Sequence, residues 1–172
     1  MSLAEVPLVR VETRDFVDVA ARARELGCPV PTGIALLPGN FATAASAGEF
    51  CYHAATQYVR SAWRSIGLID DGPDATGPNV PLVAFFGREL RSGPARLVTY
   101  ALGAVASVLS AHPGEAGAPE IRFDAIVERP GRGSYACVEY RGDACELITL
   151  AGTVREILMG SPSPGADDDE GA

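Results

Sequence analysis

"EIRFDAIVERPGRGSYACVEYRGDACELITLAGTVREILMG", residues 120–160, is the stretch whose reading decides the fold. Its opening alternates: Ile121, Phe123, Ala125 and Val127 fall on one face of a strand, and Arg122, Asp124 and Glu128 on the other. "RPGRGS" is a turn-rich link to a returning strand, "YACVEYR", with Ala136, Val138 and Tyr140 on one side. Asp143 and Glu146 then stand at capping-box spacing. Behind them Leu147, Leu150, Ala151, Val154, Ile157 and Leu158 recur at helical spacing, and Gly160 and Pro162 stop the run. The pattern is strand, hairpin, strand, helix. An isolated hairpin is marginal in water. The unit therefore predicts that the hairpin packs on its own helix and on an apolar helix before it.

That earlier helix is "LVTYALGAVASVLSA", residues 97–111, opened by Ser92 and Pro94 and free of charge throughout. A helix crossing a bilayer needs about 20 apolar residues. This run is bounded by Arg96 and His112, and it contains Thr99, Gly103, Ser107 and Ser110. It reads as a core helix wrapped on several sides, not as a membrane span.

Working back toward the N-terminus, "LVAFF" (82–86) predicts a strand, and "IDDGPDATGPNVP" (69–81) an exposed, mobile acidic loop. Ser46 and Glu49 form another capping-box pattern, which predicts a helix over 47–66 ended by Gly67. "GIALL" (33–37) predicts a short strand broken by "PGN". "PLVRVE" (7–12) predicts a further strand; Thr13 or Asp15 then caps a helix with Phe16, Val19, Ala20, Ala23 and Leu26 on its apolar side, stopped by Gly27. The expected fold is a single compact α+β domain over residues 1–160. It has three to four helices and a small antiparallel sheet, and it closes with the ββα unit. "SPSPGADDDEGA", 161–172, has too little apolar surface to offset its ordering entropy and reads as a disordered acidic tail.

Composition excludes several chemistries. The chain of 172 residues carries a formal net charge of -8, and the tail supplies half of it. All 14 basic side chains are arginine. Without lysine there is no Walker A lysine, no Schiff base and no lysine general base, which removes P-loop NTPases, ordinary protein kinases and pyridoxal-phosphate enzymes. The abundance of Ala, Gly, Pro and Arg points to a high-GC bacterium. The acidic balance argues against nucleic acid. Cys28, Cys51, Cys137 and Cys145 form no CxxC pair and read as reduced thiols of a cytoplasmic protein, and the early charges do not fit a signal peptide. The spacing of thiols and histidines gives no metal site, and no cofactor loop is present.

One stretch is a candidate for chemistry. On a helix over 47–66, Glu49 and His53 share a face at i and i+4, and Gln57 and Arg60 continue it. A carboxylate beside an imidazole raises and orients it, as a general base or an anion site requires. Asn40, in the turn before, would orient a ligand. Cys51 and His53 point apart on such a helix and make no nucleophile–base pair. Gly131 and Gly133 between arginines join two strands, lack the full phosphate-loop pattern and read as a plain hairpin turn. No GxSxG, HExxH, DxDxDG or zinc-deaminase signature occurs. The leading expectation is a non-catalytic protein-interaction or adaptor domain of a bacterial cytoplasm, with a protein partner and no cofactor. The alternative is a small enzyme or small-molecule binder using residues 38–60.

Overall fold

The computed structural model describes residues 9–68, 77, 80–111, 120–131 and 133–160. The strands are β1 (Arg10–Phe16), β2 (Ile34–Leu37), β3 (Leu82–Phe86), β4 (Ile121–Glu128) and β5 (Tyr135–Gly142). The α-helices are α1 (Val19–Leu26), α2 (Thr56–Ser65), α3 (Arg96–Ala111) and α4 (Leu150–Met159). The class is α+β, as the alternation of periods predicts. The acidic loop apart from residues 77, 80 and 81, His112 and the tail from 161 lie outside the described residues.

The C-terminal unit forms as read. β4 and β5 pair antiparallel, with Ala125 opposite Val138 and Val127 opposite Ala136. Asp143 is the N-cap, its carboxylate accepting from the Cys145 amide at 2.8 Å. A 3-10 segment, Ala144–Thr149, leads into α4, so the helix proper starts later than the capping pattern implies. Gly160 ends α4 at φ 68°, a left-handed conformation that glycine adopts without steric cost. Leu147, Leu150, Val154 and Leu158 are buried against the sheet and α3.

The sheet is larger than expected and not wholly antiparallel. Five strands run in the order β1-β5-β4-β3-β2, and β3 pairs with β4 in parallel. Parallel neighbours need a long crossover, and α3, with 16 residues, provides it. The sheet is covered on both faces. On one, α2, α3 and α4 meet Leu82, Ala84, Phe86, Phe123, Ala125, Val127, Val138 and Tyr140. Trp63 of α2 is fully buried there, and its indole N–H donates to the Ala101 carbonyl of α3 at 3.1 Å. On the other face α1 and residues 41–52 cover Val83, Phe85, Ile126, Tyr135 and Cys137. β4 is therefore buried on both sides, which its alternation of apolar and polar residues did not predict.

Two boundaries differ from the reading above. Phe16 belongs to β1, where it faces Tyr135, and α1 is capped by Asp18, whose carboxylate accepts from the Ala21 amide at 3.0 Å. The helix over 47–66 does not form as one element: residues 47–49 are a single 3-10 turn, and α2 begins at Thr56. The physical reason is which sheet face each part serves. Phe50 and Tyr52 pack in the cluster beneath α1, whereas Val59 and Trp63 pack in the cluster beneath α3. The chain crosses between faces from 52 to 56, and one straight helix cannot bury residues on both.

Candidate functional site

The residues singled out around 38–60 hold the crossing segment in place. Asn40 donates through Nδ2 to the Glu49 carbonyl at 2.8 Å and accepts through Oδ1 from the Cys51 amide at 3.0 Å. Its side chain thus bridges a turn to the strand-like stretch that follows. The Glu49 carboxylate accepts from the Ala45 amide at 3.0 Å; Ser46 makes no side-chain cap. His53 Nδ1 accepts from the Ala55 amide at 3.0 Å, and burial pushes the imidazole below its ordinary range. Arg60 is buried, with its guanidinium 5.1 Å from the centre of the Tyr52 ring. Gln57 is exposed on α2. Asn40 and Glu49 therefore come together, through a backbone carbonyl. The i, i+4 relation of Glu49 to His53 is lost, because neither lies within α2.

A different constellation emerges where α1 stops covering its sheet face. The pairing registers place Arg10 opposite Arg141, and Arg141 opposite Arg122. In the next rung Glu12 lies opposite Glu139, and Glu139 opposite Asp124. A rung of three arginines thus lies beside a rung of three carboxylates, crossing β1, β5 and β4 on one face. Like charges directly opposite on a sheet are destabilising. Here attraction runs between the rungs instead. Arg141 Nε meets Glu139 at 2.8 Å, Arg122 meets Asp124 at 3.4 Å and Glu139 at 3.8 Å. Arg14, one step farther along β1, bonds Glu139 at 2.9 Å. A depression of about 190 Å³ is lined by Arg10, Glu12, Glu139 and Arg141.

The two inner carboxylates have opposite electrostatic environments. Glu139 is held below the usual carboxylate range, first by its bond to Arg141 and also by Arg14 and Arg122. Asp124 is pushed up by burial, which outweighs the attraction of Arg122. Its side chain is 7% exposed, and Oδ1 has no hydrogen-bond partner among the described residues. Beside it the buried Cys137 thiol is pushed up to about 11, by burial first and by Asp124 second. That thiol is protonated at neutral pH and is no nucleophile. Counting Arg14 and also Glu120, whose charge acts on Arg141, four arginines and four carboxylates meet here. Among the described residues no group of three or more His, Cys, Asp and Glu is placed to hold a metal ion.

The parts of this constellation are legible in the sequence, and their alignment is not. Alternating charge is visible in Arg10-x-Glu12-x-Arg14, in Arg122-x-Asp124 and in Glu139-x-Arg141. Strand order and register, which align them, are not written in any one strand. No protein-family model matches the chain, and no curated protein and no solved structure matches it either.

Proposed function

We propose that the chain is a non-catalytic protein-interaction domain of a bacterial cytoplasm, and that the charged rungs on β1, β5 and β4 are its docking face. The observation that carries this reading is the arrangement of charge: a row of arginines beside a row of carboxylates crosses three strands on the part of the face that α1 leaves bare. The outer rung, Arg10, Arg141 and Arg122, presents guanidiniums in a row, and Arg10 has no ion pair among the described residues. Planar guanidiniums favour bidentate carboxylates, so the partner suited to this rung is a protein segment carrying acidic side chains.

The test uses the tagged full chain expressed in its native host, with Arg10→Glu combined with Arg141→Glu, and with Gln57→Ala as a control on the opposite side of the sheet. Circular dichroism verifies folding. The expected result is a protein partner that is retained by the native chain and the control, released by raised salt, and lost with the double reversal. Retention of the partner by the double reversal overturns the docking face.

A second reading, a small-molecule site using Asn40, Glu49, His53, Gln57 and Arg60, draws on the half-buried, neutral His53. A co-purifying metabolite lost with His53→Ala, and no protein partner, would put that reading first.

A further inference from the structure

β1 is the edge of the sheet: β5 pairs with it on one side, and no described residue pairs with it on the other. Six of its seven residues are exposed and the seventh is half-buried. An edge strand presents unpaired N–H and C=O groups to any extended chain, and β1 has no proline to interrupt them. Val9, Val11 and Val17, on or beside this strand, are 40%, 44% and 39% exposed.

The centre and the ends of this edge are self-complementary. "VRVETRDFV", 9–17, can lie antiparallel to a second copy of itself about a two-fold axis at Thr13. Glu12 then falls opposite Arg14 of the other copy, and Arg14 opposite Glu12. Val9 falls opposite Val17 and Thr13 opposite itself, while Arg10 meets Phe16 and Val11 meets Asp15, pairs that neither attract nor repel by charge. Neighbouring registers that keep the same faces aligned are opposed by charge. An axis at Glu12 sets Glu12 against itself and Arg10 against Arg14; an axis at Arg14 sets Arg14 against itself. A parallel pairing in register sets every charge against its own copy. Cross-strand pairs of opposite charge favour a sheet, and like pairs disfavour it; an axis at Val11 would also set Arg10 against Glu12, but among the described residues it engages only 9–13, whereas the axis at Thr13 engages the whole of β1. Among the described residues Glu12 has no ion pair within one chain, and it ends the carboxylate rung at the edge of the sheet. Arg14 uses Nη1 on Glu139 and has further donors in its guanidinium.

We infer that two copies of this chain join antiparallel along β1, with the two-fold axis at Thr13, into one continuous ten-stranded sheet. The contact is isologous, so it closes at two copies and leaves β2 as the outer edge of each. It does not rest on the partner-binding reading, because it engages the strand's edge and not the arginine rung as a whole.

The test is sedimentation equilibrium on the full chain, with folding verified by circular dichroism. The native chain is expected at the mass of two chains. Glu12→Arg sets arginine against the second copy's Arg14 and is expected to sediment as one chain; Arg14→Glu sets carboxylates against Glu12 with the same result. An equimolar mixture of the two variants restores both opposite-charge pairs and is expected to recover the two-chain mass. A native chain that sediments alone overturns the inference, as do variants that stay paired and folded variants that fail to recover on mixing. Should Arg14→Glu fail to fold, Thr13→Cys decides. Mild oxidation is expected to give a disulfide-linked pair of chains that the native sequence does not give, because residues on the axis sit about 5 Å apart. Absence of that species overturns the inference.

Discussion

Asp124 shows how a single position can be legible in identity and illegible in consequence. Its place on the polar side of β4 follows from the alternation, but its burial does not: Arg122 and the neighbouring strands close over it. The sign of its effect on stability follows from the direction of its shift. Its carboxyl is raised in the folded chain above the ordinary value of 3.8. Below that value both states are protonated and the native state has its full advantage; as pH rises through the folded value, that advantage is lost. Asp124→Asn keeps the shape and removes the buried charge. It is expected to stabilise the protein by on the order of 1 kcal/mol at pH 7, and the gain is expected to vanish in acid below the carboxylate range. Urea unfolding at the two pH values measures both. A variant less stable than the native chain at pH 7 would mean that the Arg122 ion pair outweighs the cost of burial. Asn40 is the converse case: its place in a turn was readable, but the reach of its amide to residues 49 and 51 depended on how the chain returns.

Elements with one uniform periodicity and a stop signal were readable from the residues: α3, α4, the β4–β5 hairpin, β2, β3 and the Gly27 end of α1. Residues 47–66 depart from their local pattern, which has helical spacing throughout and a capping pair before it. Local propensity lost there to the need to bury Phe50 and Tyr52 on one face and Trp63 on the other. Glycines divide along the same line. Gly152 lies in α4 with nothing near the position a Cβ would take. Gly152→Ala is expected to raise stability by about 0.5–1 kcal/mol, since alanine loses less backbone freedom in a helix. Gly87 follows β3, and a Cβ there would overlap the Thr32 carbonyl, which accepts the Glu89 amide. The strand end and the 30–33 connection would have to separate, so Gly87→Ala is expected to cost about 2–3 kcal/mol. Thermal denaturation of the two variants should move in opposite directions.

At the scale of the molecule, two apolar layers share one sheet. Leu147 lies in the layer under α3 and α4, and Phe41 in the layer with α1. β4 contributes to both, through Ala125 on one side and Ile126 on the other. The layers are therefore expected to unfold together. Leu147→Ala and Phe41→Ala should each cost roughly 2–5 kcal/mol and shift the same single transition, followed by tryptophan fluorescence of Trp63 and by far-ultraviolet circular dichroism. A transition seen by dichroism alone, with the Trp63 signal unmoved in Phe41→Ala, would show separable layers. The charged face belongs to this scale as well. Its residues come from three strands as far apart in the chain as Arg10 and Arg141, and no local pattern brings them together.

By itself the sequence determined the α+β class, the ββα ending, the uncharged central helix and the chemistries that the absence of lysine removes. These depend on side-chain type and on periodicities of a few residues, which act locally. Only the tertiary structure decided the strand order, the parallel β3–β4 pair, the broken segment before α2 and the alignment of arginines beside carboxylates. Those are set by long-range pairing and by which face each segment must bury, a competition among distant parts of the chain that no short stretch encodes.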